Sequence, residues 1–196
     1  MNLPNALTLS RIVLSLLFMV LLLADGPATL EAALVVFLAA AVTDLWDGYA
    51  ARRTGGQTAF GKFMDPLADK LLVSLALVGL LARATPGLAG WVVVVIVARE
   101  MVITGLRSLA AYRGLVIGSS RTARAKTVCQ MSLVSWFLVR DTLFRDAAWL
   151  SPGAAGSPAP DVVIAGVLAA VTVLLTTVSG VEYLYRNRDV WWAALR

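Results

Sequence analysis

Runs of roughly 20 mostly apolar residues recur along this chain, and that is the length a helix needs to cross a lipid bilayer. In hydrocarbon each backbone N–H and C=O must be satisfied within the protein, so the spanning segments are read as helices. The runs fall at about 1–24, 30–53, 60–81, 90–112, the stretch beyond 126 to about 144, and 162–183. Short polar or Pro/Gly-rich connections separate them, such as Asp25-Gly-Pro-Ala and the Ser151–Pro160 linker. The expectation is an all-α, polytopic integral membrane protein with six transmembrane helices and a short interfacial N-terminal segment. The 196 residues are 59% hydrophobic, and their mean hydropathy of +0.80 lies far outside the soluble range. One domain, 1–196, is expected, since the connections leave no room for a separate soluble unit. A cleaved leader at 1–24 is disfavoured, because its single early cation, Arg11, comes late.

Against that apolar background, one stretch is densely acidic. It reads D-x2-D-G-x2-A-R-x8-G-x3-D-x3-D from Asp44 to Asp69. Asp44, Asp47, Gly48 and Ala51 fall at i, i+3, i+4 and i+7, one face of a helix; Gly61, Asp65 and Asp69 share a face of the next. Four carboxylates converging at low dielectric repel strongly unless cations neutralise them. An all-oxygen ligand set favours hard ions, Mg2+, Mn2+ or Ca2+, over zinc. Gly48, Ala51 and Gly61 leave room for a substrate, and Arg52 supplies a cation suited to phosphate oxygens. Together these residues point to chemistry on a diphosphate.

The same eight positions match the signature of the CDP-alcohol phosphatidyltransferase family, which this chain resembles over most of its length. Further matches are Asn2 to Arg11, Phe60–Lys70, Ala98-Arg99-Glu100 and Lys126-Thr127-x-x-Gln130; the 141–160 connection is longer and richer in Pro and Gly than the family pattern. The resemblance implies two divalent ions, Mg2+ or Mn2+, held by Asp44, Asp47 and Asp65 with Asp69 beside them. It implies that Asp69 is the catalytic general base on an acceptor hydroxyl. Asp44, Gly48, Ala51, Arg52 and Gly61 would then bind the CDP-linked lipid. The members most resembled pass a phosphatidyl group from CDP-diacylglycerol to glycerol 3-phosphate and release CMP. Homodimers are implied as well.

The acceptor is read from a second charged group, Arg107, Arg113, Arg121, Arg124 and Lys126, which suits a molecule carrying its own phosphate. The bland reading of any one of them is positive-inside bias or contact with anionic lipid. Arg99 and Glu100, deep in an apolar run, read equally as an internal pair tying helices together or as substrate contacts. Cations cluster near the amino terminus, the 52–62 loop, 107–126 and the tail, whereas the other side holds Arg83, Arg140 and Arg145. By the positive-inside rule the acids and both termini face the cytoplasm, in the cell (inner) membrane.

Composition excludes several classes. With no histidine, there is no Ser-His-Asp triad, histidine shuttle or histidine metal site, and the single Cys129 permits no intrachain disulfide. The net charge of +5 in so apolar a chain points to lipid headgroups and a phosphorylated substrate, not to nucleic acid. Competing readings are the same family with phosphatidylglycerol, inositol phosphate or serine as acceptor, a metal-ion transporter, and a membrane scaffold. A transporter would put its acids near mid-membrane, whereas here they cluster at one face beside arginines.

Overall fold

Each apolar run becomes one α-helix in the computed structural model, which describes residues 3–24, 26–50, 59–112, 121–144 and 159–188. For 3–5, 7, 44–50, 59–63, 65, 66, 69, 112 and 121 that description is of the backbone alone. Among the described residues there are six helices and no strands: α1 (Leu3–Leu23), α2 (Pro27–Ala50), α3 (Ala59–Ala82), α4 (Gly90–Tyr112), α5 (Arg121–Leu143) and α6 (Pro160–Arg186). At 1.5 Å per residue, even the 21-residue α1 is about 30 Å long.

α1 already runs from Leu3, at the start of the described residues. Pro4 does not interrupt it: in a first turn the missing N–H has no intrahelical partner to lose. α6 alone among the described helices is long and apolar enough to cross a membrane by length and composition. Among the residues whose side chains are described, the apolar stretches of α1, α2 and α3 are Thr8–Leu23, Pro27–Thr43 and Lys70–Ala82. In α4, Arg99, Glu100 and Arg107 interrupt the apolar run.

α1 packs extensively against both α2 and α3, whereas α2 and α3 touch each other only sparingly. The rings of Phe18 and Phe37 meet at 5.5 Å between α1 and α2. α1 and α3 approach closely at Gly79, where an added Cβ would lie 2.6 Å from Leu22 Cδ2. The guanidinium of Arg83, just past α3, donates to the Leu22 carbonyl at 2.8 Å, covering an orphan acceptor at the end of α1. α5 packs on α6 and reaches back to α2 and α3, and α4 lies against α3 and α6. Phe18, Phe37, Leu77, Leu80, Ile96, Leu133 and Phe137 are fully buried in one continuous core.

A buried arginine closes the end of the bundle that holds Arg83. Arg140 Nη1 donates to the Pro86 carbonyl at 2.8 Å and to Asp161 Oδ2 at 3.3 Å, and Asp141 Oδ1 lies 2.7 Å from the same guanidinium. Three parts of the chain, the 83–89 turn and the adjoining ends of α5 and α6, are tied there. Outer faces carry aliphatic side chains such as Val20, Val35, Val94 and Leu174, while Glu100, Lys126, Gln130 and Arg140 are buried inside. Exposed aliphatic faces combined with buried charges depart from the water-soluble pattern.

Candidate functional site

Chain direction sets what lies at the opposite end. α2 finishes and α3 begins away from the Arg83 and Arg140 turns, so the helical backbone at Asp44 and Asp47 and that at Gly61, Asp65 and Asp69 belong to the same end of the bundle. The side chains of the four acids lie outside the described residues, as do Ala51 and Arg52 altogether. Among the described residues α2 and α3 contact each other little, and both lean on α1. Among the described residues no group of three or more His, Cys, Asp or Glu side chains is placed to hold a metal. The donor set on this stretch, four carboxylates with no histidine in the chain, fits an oxygen-seeking divalent cation.

One residue beyond Asp69, the described side chains resume with a polar network. Lys70 of α3 stands with its Nζ 3.6 Å from Oε2 of Glu100 on α4. Glu100 is buried, and its Oε1 accepts from three donors: Arg99 Nη1 at 3.2 Å, Gln130 Nε2 at 3.2 Å, and the ammonium of Lys126. A carboxylate taken out of water is tolerable only when paired and hydrogen-bonded in this way. Lys126 and Gln130 are four residues apart on α5, which puts both on one face toward α4. Arg99 continues outward, donating from Nη2 to Ser179 Oγ on α6 at 3.0 Å. Gly180 lies against that side chain, and a Cβ there would sit in contact at 3.4 Å from both Cγ and Nε of Arg99.

These side chains line a cavity of about 330 Å³ bounded by α3, α4, α5 and α6. Among the described residues five cations face it (Lys70, Arg99, Arg107, Arg124 and Lys126) against the one carboxylate of Glu100. The Arg107 guanidinium lies 6.0 Å from the centre of the Tyr183 ring on α6, and Thr122 donates to Glu182 between α5 and α6. Cations held by a low-dielectric wall attract a small anion far more strongly than the same cations spread over a wet surface.

Of the residues expected to bind an acceptor phosphate, Arg107, Arg124 and Lys126 come together in this cavity. Arg113 and the Arg121 side chain lie outside the described residues. Arg99 and Glu100 both pair with each other and line the cavity, so neither of their two readings excludes the other. Sequence reasoning gave no role to Lys70, Gln130, Ser179, Gly180 or Tyr183. The available signal was the polar and small residues Thr176, Ser179, Gly180 and Tyr183 in the apolar run of α6.

The chain is similar to several known proteins. The family model described as CDP-alcohol phosphatidyltransferase matches residues 1–178. The chain is 37% identical over 207 aligned residues to a Bacillus subtilis (strain 168) protein named CDP-diacylglycerol--glycerol-3-phosphate 3-phosphatidyltransferase, covering 100% of this chain and 97% of that one. It is 37% identical over 193 residues to a probable phosphatidylglycerophosphate synthase of Mycobacterium tuberculosis (strain H37Rv), covering 96% of this chain and 83% of the relative. A protein of Escherichia coli (strain K12), named like the Bacillus one, is 35% identical over 156 residues, 76% of this chain and 84% of its own.

Proposed function

The chain belongs to the CDP-alcohol phosphatidyltransferase family, and we propose that it transfers a phosphatidyl group from CDP-diacylglycerol to glycerol 3-phosphate, giving phosphatidylglycerophosphate and CMP. The observation that carries the acceptor is the cavity: five cations around about 330 Å³, with Lys70 one residue from Asp69. A phosphate monoester brings nearly two negative charges and three acceptor oxygens to such donors. Phosphatidylglycerol offers a singly charged diester with two acyl chains, a poorer match to a small cationic space.

The acids of the Asp44–Asp69 stretch do the other half of the work. Asp44, Asp47, Asp65 and Asp69 hold two Mg2+ or Mn2+ ions, which when bound supply charge neutralisation of the diphosphate and of the departing CMP. Asp44, Gly48, Ala51, Arg52 and Gly61 receive the CDP-lipid. Arg107, Arg113, Arg121, Arg124 and Lys126 hold the acceptor phosphate, now joined by Arg99 and Lys70. Asp69 accepts the proton of the glycerol hydroxyl as its oxygen bonds to the phosphatidyl phosphorus and the bond from that phosphorus to CMP breaks. The six helices cross the membrane as one domain, 1–196, working as a homodimer with the acids on the cytoplasmic side. Aliphatic outer faces and buried charges support the membrane setting.

Purified protein in detergent, given CDP-diacylglycerol, labelled glycerol 3-phosphate and Mg2+ or Mn2+, should form CMP and labelled phosphatidylglycerophosphate in equal amounts. Product only with phosphatidylglycerol, inositol phosphate or serine would reassign the acceptor; no CMP with any of them would reject the activity.

A further inference from the structure

Glu100 is an anion in a cavity built for anions. Its side chain is buried, yet it belongs to the cavity wall, and its surroundings are the donors a phosphate oxygen would seek. On Oε1 converge an ammonium from Lys126, a guanidinium N–H from Arg99 at 3.2 Å and an amide N–H from Gln130 at 3.2 Å. A second ammonium, that of Lys70, faces Oε2 at 3.6 Å. Put a phosphate oxygen where that carboxylate oxygen lies, and the donor set would already be complete.

We propose that Glu100 is the built-in occupant of the innermost anion position of this cavity. As a positioning residue, it fills the inner donor set with the protein's own carboxylate and holds Lys126 and Arg99 in place. An incoming phosphate monoester is thereby kept at the outer donors, Arg107, Arg124 and the remaining protons of Lys126. Arg99 is doubly restrained, since its other terminal nitrogen is committed to Ser179 at 3.0 Å. Exclusion works through charge as well as space: a carboxylate a few ångströms from a dianion opposes its deeper entry.

This inference rests on the acceptor reading only for its consequence in turnover; occupancy of the inner site stands on the described side chains. The sign of one measurement separates it from a purely structural ion pair. Loss of a structural pair loosens the helices and weakens ligand binding, whereas loss of an internal anion strengthens the binding of an external one.

The experiment is calorimetric titration of the purified full-length protein in detergent with inorganic phosphate alone, for the wild type, Glu100→Gln, Glu100→Ala and Glu100→Asp. Glu100→Gln removes the charge and keeps the bulk; it should bind phosphate about tenfold more tightly than wild type. Glu100→Ala also opens the space and should bind at least as tightly, while Glu100→Asp keeps the charge and should stay near wild type. Should the alanine variant not fold, Glu100→Gln decides alone. Unchanged or weaker phosphate binding in Glu100→Gln overturns the proposal. In turnover, Glu100→Gln should lower the KM for glycerol 3-phosphate and kcat together, with the KM for CDP-diacylglycerol unmoved. Tighter phosphate binding in the variant of a protein that makes no CMP from glycerol 3-phosphate would leave the inner site standing and reject the reaction.

Discussion

Replacing Lys126 by methionine keeps most of the side chain's volume and removes one ammonium from the cavity. Lys126 is only 2% exposed, so nothing in solvent takes its place. Removing one partner of a buried ion pair usually costs about 3–5 kcal/mol, because the other charge is left alone. Here Glu100 keeps Arg99 and Gln130 at 3.2 Å and Lys70 at 3.6 Å, so the loss shrinks toward one hydrogen bond to a charged group, about 1.5–3 kcal/mol. The folded protein should therefore survive with a lowered Tm. If the same ammonium also meets the acceptor phosphate, a loss of similar size falls on kcat/KM for glycerol 3-phosphate, about 10- to 150-fold. Initial rates of CMP release, with each substrate varied in turn, give the answer. The KM for glycerol 3-phosphate should rise while that for CDP-diacylglycerol stays within about twofold. Equal losses for both substrates, or an unmoved KM for glycerol 3-phosphate, would refute the assignment of this cavity to the acceptor.

Other substitutions separate stability from function. Arg140→Met leaves Asp161 buried without its 3.3 Å partner and the Pro86 carbonyl without its donor, so unfolding in detergent should become easier by about 3–5 kcal/mol. Because this node closes the end of the bundle away from the cavity, both KM values should hold in whatever protein remains folded. Gly180→Val drives a branched side chain into Arg99, whose Cγ and Nε lie 3.4 Å from where the Cβ would stand; kcat/KM for glycerol 3-phosphate should fall about tenfold, and less for Gly180→Ala. Asp69→Asn should cut CMP formation by at least about 10²- to 10⁴-fold, the usual contribution of a general base, with an unaltered melting curve. Retained turnover would remove Asp69 from the role of base.

What the sequence made legible follows from how far apart the interacting residues lie. Period and length suffice for helices, so α4 runs over the expected 90–112 and α3 within a residue of 60–81 at each end. Pro4 sits in the first turn of α1, where it is compatible with the helix. Spacing along one helix likewise brought out the acids on α2 and α3, and charge in an apolar chain brought out the cations of 107–126. The Glu100 hub was not legible that way. Its partners lie 30 residues away on α3 and 26 and 30 away on α5, and only packing decides that these helices converge. The same holds for Ser179 and Gly180, whose part is to receive an arginine 80 residues earlier in the chain.

Central to the proposed function are divalent ions gripped by acids at the ends of α2 and α3, next to a cavity that takes the acceptor's phosphate. Anomalous diffraction from crystals grown with Mn2+ and glycerol 3-phosphate tests it directly. Manganese peaks should lie among the carboxylates of Asp44, Asp47, Asp65 and Asp69, with the phosphate against Arg107, Arg124 and Lys126. Carboxylates turned to separate surfaces, with no manganese between them and the phosphate elsewhere, would contradict it.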